Sequence, residues 1–132
     1  MTYLLDTHTF LFCAFDSPKL GKKARQLIVN RENSIFVSVV SFWEISLKFS
    51  LGKLSLKNIS PEEIPLICEE MGFEILELSA PDAASFFELQ TLQHKDPFDR
   101  MLIWQAIRRK LTLISKDASF KEYESLGLKV VY

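Results

Sequence analysis

The sequence contains little of what marks a fibrous, disulfide-linked or membrane-spanning protein. Its 132 residues include only four glycines, five prolines and two cysteines, which excludes a collagen-like chain and a disulfide scaffold. Cys13 and Cys68 are therefore expected to be buried, reduced thiols. No apolar run approaches the roughly 18 residues that cross a bilayer, and the opening residues, MTYLLDTHTF, lack a basic leader segment. We expect a cytoplasmic protein that does not bind membranes.

An excess of charge of either sign is also missing. The 16 basic and 17 acidic residues nearly cancel, so the net charge gives no argument for nucleic-acid binding, which depends on neutralising phosphates with Lys and Arg. Any such binding must come from a local patch. Apolar residues, in contrast, make up 48% of the chain, which is enough for one domain with a full core over residues 1–132.

Short apolar segments rich in β-forming residues alternate with segments of helical length. The predicted strands are residues 2–5, 34–40, 73–78, 112–115 and 128–131. A helix is predicted over 20–31, where apolar residues recur along one face, and others begin at Ser60-Pro61 and Asp96-Pro97. Gly72 and Gly127 are placed to end helices. This alternation predicts an α/β domain with a central parallel sheet of about five strands, flanked by helices on both faces.

Acidic residues follow the predicted strands at the edge where α/β proteins bind ligands. Asp6 comes directly after the first strand, and Asp117 comes shortly after the fourth. Asp99 falls in an apolar helix and, at about 100° per residue, shares a face with Ile103 and Ala106. An acid that faces inward there needs a partner.

Two further acids have a structural alternative. Glu44 lies in a helix that Ser41 would cap, so it is either a capping-box residue or part of a site. Asp96 directly precedes Pro97, which favours an ordinary helix N-cap.

Carboxylates gathered at one sheet edge cannot all be ionised without compensation: either like charges raise their pKa values sharply, or a cation binds. The oxygen ligands of Asp6, Glu44, Asp99 and Asp117 suit Mg²⁺, Mn²⁺ or Ca²⁺, and no set of residues suits zinc. His8 and His94 are far apart in sequence and belong to no metal-ligand spacing. Such a cation suits phosphoryl chemistry, because it polarises a phosphate oxygen and stabilises the leaving oxygen.

Four blocks of sequence, LLDTHTF, SVVSFWEISLK, HKDPFDRMLIWQA and LISKDASF, together resemble the motifs of the PIN domain, in order and over essentially the whole chain. More narrowly, they resemble the VapC-type ribonuclease toxins of toxin–antitoxin pairs. The resemblance implies an Mg²⁺- or Mn²⁺-dependent endoribonuclease with a five-stranded parallel sheet. It also implies an RNA substrate, a homodimer, and a cognate antitoxin that fills the active-site groove.

Carried over residue by residue, the family's catalytic, metal-binding quartet falls on four acids that are all present: Asp6, Glu44, Asp99 and Asp117. Asp96 matches the accessory acid of the family. Thr7 and Ser115 match positions that often hold a small hydroxyl near the metal.

Basic residues near the acidic edge are candidates for contacts with substrate phosphates: Lys48, Arg100 and Lys116. Lys48 has an alternative, because it lies one helical turn after Glu44 and can pair with it. The run from Arg108 to Lys110 ends a helix, where cations complement the helix dipole.

The segment around Glu44 is apolar on two sides. Phe42, Ile45 and Phe49 fall on one side of the predicted helix, and Trp43, Leu47 and Leu51 on another. One sheet cannot bury both, so either a second helix, such as 60–71, or a partner protein is expected to cover the remainder.

Other phosphoryl-handling α/β proteins fit less well. A receiver domain expects paired acids after its first strand, and a haloacid-dehalogenase-like phosphatase expects an acid where His8 stands. Two alternatives stay open: a non-catalytic PIN-like module that binds RNA or protein, and a DNA or flap nuclease.

Overall fold

The computed structural model describes residues 1–132 and contains five strands, six α-helices and three 3₁₀ helices. The strands are β1 Thr2–Leu5, β2 Ser34–Ser38, β3 Glu74–Leu76, β4 Thr112–Ile114 and β5 Lys129–Val131. The α-helices are α1 Thr7–Ala14, α2 Lys22–Val29, α3 Val39–Ser50, α4 Ile64–Glu70, α5 Ala80–Ser85 and α6 Pro97–Arg109. The 3₁₀ helices are Pro61–Glu63, Phe86–Glu88 and Ala118–Leu126. None of these helices has the length and apolar character to cross a membrane.

The five strands form one parallel sheet in the order β3-β2-β1-β4-β5. The register places Leu5, at the end of β1, beside Val37 of β2 and Ile114 of β4. The chain segments that leave these three central strands therefore emerge side by side at one edge. The predicted five-stranded parallel sheet is confirmed.

Both faces of the sheet are covered by helices. Tyr3 and Leu5 of β1 pack in one core with residues of α1, α2 and α4, whereas Leu4 packs in a second core with residues of α6. Successive side chains of a strand point to opposite faces, so the near-continuous apolar strands are those of a sheet buried on both sides. The predicted helices on both faces are confirmed.

The boundary between β2 and α3 differs from the prediction. The strand predicted over 34–40 ends at Ser38, and the next two valines already belong to α3. Ser38 is the N-cap, with its side chain accepting a hydrogen bond from Val40 N–H at 3.0 Å. The cap predicted at Ser41 is therefore wrong, because β-branched valines continued the strand pattern into the first turn of the helix.

Other element ends are close to their predicted positions. The start predicted at Ser60-Pro61 forms the short 3₁₀ helix, in which Glu63 Oε2 accepts from the Ser60 N–H at 2.7 Å, before α4 begins. Gly72 and Gly127 have φ values of 84° and 105°, the left-handed conformation expected of residues that end helices. Both cysteines are free, and burial raises the pKa of each thiol to about 11, so neither is a reactive nucleophile.

Candidate metal centre

Asp6 lies at the centre of the sheet edge and is held on both carboxylate oxygens. It directly follows β1 and caps α1, with Oδ1 accepting from the Thr9 N–H at 2.8 Å. Its Oδ2 accepts from the Ser115 hydroxyl at 2.6 Å. Burial raises the pKa of Asp6, and the hydrogen bonds from Ser115 and Thr9 partly oppose that rise. The carboxylate therefore has a fixed orientation in a largely water-free position.

Glu44 enters the same region from α3. It is 3% exposed, and its Oε1 accepts from the Thr7 hydroxyl at 2.6 Å. The Thr7 hydroxyl also lies 2.9 Å from the Ser41 hydroxyl. Its Oε2 accepts from the Lys48 ammonium in the predicted i, i+4 ion pair. The capping alternative for Glu44 is wrong, since α3 begins at Val39 and Glu44 lies well inside it. Glu44 is therefore a buried acid at this edge of the sheet.

Ser115 connects Asp6 to Asp117. Its hydroxyl donates to Asp6 and its oxygen accepts from the backbone N–H of Asp117 at 3.1 Å. Asp117 is exposed and caps the last 3₁₀ helix, where the Ser119 N–H and hydroxyl donate to its Oδ1 at 2.9 and 2.7 Å. These two hydrogen bonds lower the pKa of Asp117. Thr7 and Ser115, which were predicted to lie near the acids, therefore do so: the Thr7 hydroxyl donates to Glu44 and the Ser115 hydroxyl donates to Asp6.

Asp96 and Asp99 occupy the start of α6. Asp96 is the N-cap, with Oδ1 accepting from the Asp99 N–H at 2.8 Å, so the predicted cap is confirmed. Asp99 is partly buried, and its pKa is raised to about 6 by burial first and then by the negative charges of Asp96 and Glu44. That electrostatic coupling shows that the acids of α3 and α6 face one another across the same site.

His94 lies in this site although the sequence placed it outside. Its Nε2 is 2.8 Å from Asp99 Oδ2, and ligand atoms of His94, Asp99 and Asp117 all lie within 4.8 Å of one another. The spacing of the histidines along the chain pointed to no metal-ligand pair, and only folding brings the His94 ring beside Asp99. His94 precedes α6 in an irregular loop, where no periodicity connects it to Asp99. The available signal was its place at the start of the HKDPFD block.

The combined donor set fits a divalent cation. Four acids reach one sheet edge from four different elements, and Asp99 and Asp117 present oxygens that are accessible from solvent. Lys48 compensates part of the charge: burial lowers its pKa, but pairing with Glu44 and the nearby charges of Asp96 and Asp99 raise it overall. Clustered carboxylates with raised pKa values are a typical environment for Mg²⁺ or Mn²⁺.

The three predicted substrate cations have different environments. Lys48 pairs with Glu44 inside the site, and the exposed Lys116 forms no ion pair or side-chain hydrogen bond. Arg100 is not brought to the acids. Its guanidinium donates to the Leu89 carbonyl at 2.9 Å and to the Tyr123 hydroxyl at 3.2 Å, and it covers the Phe86 ring.

An apolar groove borders the centre. Trp43 of α3 is 64% exposed and Leu51, directly after the helix, is 58% exposed, whereas Ile45 is buried. The Trp43 ring meets Phe98 of α6 edge-on at 4.9 Å between ring centroids. The predicted excess of apolar surface on α3 is thus present and is not covered by the rest of the chain.

Comparisons with known proteins give one matching family model and several similar structures. The family model for the PIN domain matches residues 3–126. In structure, the chain is similar to VapBC2 from Rickettsia felis bound to a promoter DNA fragment, with 21% identity over 99% of this chain and 98% of that chain and a TM-score of 0.71. It is also similar to DNA-bound VapBC from Salmonella typhimurium, with 17% identity, 99% and 97% coverage and a TM-score of 0.67.

A third similar structure is VapBC-5 from Mycobacterium tuberculosis, with 15% identity, 98% and 97% coverage and a TM-score of 0.61. At these identities the likenesses show a shared fold. Comparison with curated proteins gave no match.

Proposed function

Because the chain belongs to the PIN domain family, we propose that it is a metal-dependent endoribonuclease and the toxin of a toxin–antitoxin pair. The observation that carries this proposal is the convergence of Asp6, Glu44, Asp99 and Asp117 at one sheet edge, where burial first, and then the negative charges of Asp96 and Glu44, raise the pKa of Asp99 to about 6. The cofactor is Mg²⁺ or Mn²⁺. The three structural neighbours named above carry the name VapBC, and one of them is described as a member of a family of toxin–antitoxin systems, which supports the toxin assignment.

Asp99 and Asp117, which are less buried than the other two acids, would hold the cation, with Asp6 and Glu44 behind them. A bound Mg²⁺ or Mn²⁺ would supply polarisation of a phosphate oxygen and stabilisation of the negative charge that develops as the phosphodiester bond breaks. Asp6 and Glu44 each retain unused lone pairs, because a carboxylate offers about four acceptor sites. Hydrogen bonds from Thr7 and Ser115 keep these two acids oriented toward the centre.

Lys48 combines the two roles that the sequence left open. Its ammonium has three N–H donors, and Glu44 occupies one of them. The remaining donors are available for a phosphate oxygen of the substrate next to the cation. The exposed Lys116, adjacent to Asp117, is placed to contact a flanking phosphate. Arg100 donates its hydrogen bonds to Tyr123 and Leu89 and has no such role.

The proposal is tested by incubating folded, partner-free protein with a mixed pool of cellular RNA in the presence of Mg²⁺, Mn²⁺ or EDTA. We expect cutting that requires the cation and disappears in the Asp99→Asn variant. Asp16→Asn is the matched control, because Asp16 is an exposed acid beyond the far end of α1. Cutting by Asp99→Asn at the wild-type rate would overturn the assignment of the site.

The same assay separates the alternatives. Single-stranded and flap DNA of matched sequence are tested beside the RNA, and cutting of DNA alone would identify a DNA or flap nuclease. Binding of RNA without cutting under every metal condition would identify a non-catalytic module. Cutting restricted to RNA supports the endoribonuclease.

The exposed apolar face of α3 supports the proposed partners, an antitoxin and a second copy of the chain. Trp43→Ser removes the largest exposed side chain of that face. Sedimentation of the wild type and this variant tests the homodimer, and co-expression with the protein of an adjacent reading frame tests the antitoxin. A variant that sediments and co-purifies like the wild type would exclude this face as the interface.

A further inference from the structure

We propose that His94 is a nitrogen ligand of the metal centre, beside Asp99 and Asp117, and that the centre therefore favours Mn²⁺ over Mg²⁺. The inference rests on the proposed function in that it concerns the same cation. It goes further by adding a ligand of a different chemical type to the four acids.

The separations of the donor atoms suit one octahedral ion. Adjacent ligands of such an ion are about 3 Å apart and opposite ligands about 4 Å apart, given bonds of about 2.1 Å. His94 Nε2 and Asp99 Oδ2 are 2.8 Å apart, as adjacent ligands would be. The ligand atoms of His94, Asp99 and Asp117 all lie within 4.8 Å of one another, close to the span of opposite ligands.

The backbone around His94 is fixed on both sides. The His94 N–H donates to Glu122 Oε1 at 2.7 Å, and the His94 carbonyl accepts from the Tyr123 hydroxyl at 2.7 Å. Arg100 donates to the same Tyr123 hydroxyl and to the Leu89 carbonyl at the start of the loop. An irregular loop held this firmly presents its side chain in one place, as a preorganised ligand requires.

The imidazole ring is also confined. It packs edge-on against Phe120 with 5.5 Å between ring centroids, and its Nε2 points at Asp99. The ring plane and its inner nitrogen are therefore set by packing before any ion arrives. This arrangement gives Arg100 a defined role in supporting the loop that carries the ligand.

Ligand chemistry then predicts the metal preference. Mg²⁺ is bound by oxygen and keeps several waters, whereas imidazole nitrogen binds first-row transition ions. A centre made of carboxylates alone would bind Mg²⁺ and Mn²⁺ through the same oxygens. Adding His94 strengthens the binding of Mn²⁺ and does little for Mg²⁺.

The alternative role for His94 is to donate a hydrogen bond that orients Asp99 without touching the ion. The two roles differ in what is bonded to the metal. Mn²⁺ is paramagnetic, so a directly bound nitrogen produces a hyperfine modulation in its electron spin echo.

The test is the spin-echo spectrum of Mn²⁺ bound to protein in which histidine carries ¹⁵N. We expect a ¹⁵N modulation in the wild type and in His8→Gln, the variant of the other histidine, and its loss in His94→Gln. Titration calorimetry accompanies the spectra. His94→Gln should weaken Mn²⁺ binding about tenfold or more and Mg²⁺ binding at most about threefold.

Each result distinguishes the inference from the proposed function. Bound Mn²⁺ without any ¹⁵N modulation would overturn the ligand role of His94 and leave the acidic metal centre intact. Equal weakening of Mn²⁺ and Mg²⁺ binding in His94→Gln would also overturn it, in favour of the orienting role. No binding of either ion by the wild type would overturn both the inference and the metal-dependent function.

Discussion

The two ends of α6 lie beside acids with opposite electrostatic environments, Asp82 of α5 and Asp99 of α6 itself. Near its C-terminal end, the carboxylate of Asp82 is held by two guanidinium groups, with Arg108 Nε 3.0 Å from one oxygen and Arg109 Nε 3.0 Å from the other. At its N-terminal end, Asp99 faces Asp96 and Glu44, which are acids like itself, and the pKa of Asp99 is raised to about 6 by burial and by those charges.

The difference is one of charge compensation: two guanidinium groups balance Asp82, whereas acids surround Asp99. Arg108 and Arg109 were expected to complement the dipole of α6, and the structure adds that they neutralise an acid of α5. Asp82 therefore has no unmet demand for a cation. Asp99 does, because its neighbours are acids and its only partner of another kind is His94. Raised pKa values at such sites typically mark function.

The largest effect that tests the contrast between Asp82 and Asp99 is expected for Asp99→Asn, which should lower RNA cleavage about 10³-fold or more. The amide keeps the shape of the side chain but supplies a weaker, uncharged ligand. Thermal unfolding of the same variant should show no loss of stability. A large loss of stability would mean that Asp99 is a structural acid like Asp82.

Asp82→Asn should give the reverse result. Removing the charge leaves Arg108 and Arg109 without their partner at a site where the carboxylate is buried, and the free energy of unfolding should fall by about 2 kcal/mol, since both arginines retain access to water. Urea titration measures the loss. The cleavage rate per folded molecule should stay at the wild-type value, and a rate that falls with stability intact would contradict the structural role.

The stability of the metal-free protein should decline as the pH rises from about 4 to about 6. Because the folded-state pKa of Asp99 is raised above the usual 3.8, the folded state binds more protons than the unfolded state in that window, so the stabilisation present below it is lost as the pH rises. The effect should be about 1 to 2 kcal/mol.

Chemical denaturation at several pH values, compared between the wild type and Asp99→Asn, measures this slope. In Asp99→Asn the decline of stability with rising pH should be absent. An equal slope in both proteins would assign the dependence to other groups.

The smallest expected effect belongs to Arg109→Met. Its side chain is 46% exposed and shares Asp82 with Arg108, so the free energy of unfolding should fall by only about 0.5 to 1 kcal/mol. A double-mutant cycle with Asp82→Asn isolates the pair. A coupling energy near zero would show that Arg108 alone balances the acid.

Much of the fold was accessible from sequence because it depends on local patterns. The apolar strands, the alternation with helices and the Asp96-Pro97 start of α6 all appeared where the pattern placed them, to within a few residues. The end of β2 did not, because Val39 and Val40 are equally suited to a strand, and only the capping bond from Val40 N–H to Ser38 ends it.

The four acids of the candidate site were named from the sequence, but His94 and the contacts among these residues were not. That Asp6 and Asp117 share an edge follows from parallel strands, and Glu44 and Asp99 joined them through the resemblance to a family. The bonds from Ser115 to Asp6 and from Thr7 to Glu44, and the diversion of Arg100 to the loop before α6, depend on side-chain directions that no sequence spacing encodes.

By itself, the sequence determined the succession of strands and helices along the chain, because hydrophobic periodicity and helix caps act over a few residues. It also determined that acids follow the strand ends. Tertiary structure alone decided that Asp82 is neutralised, that Asp99 is not, and that His94 stands beside Asp99. The physical reason is that Coulomb interactions and hydrogen bonds depend on distances of a few ångströms between atoms, and those distances exist only once the chain has folded.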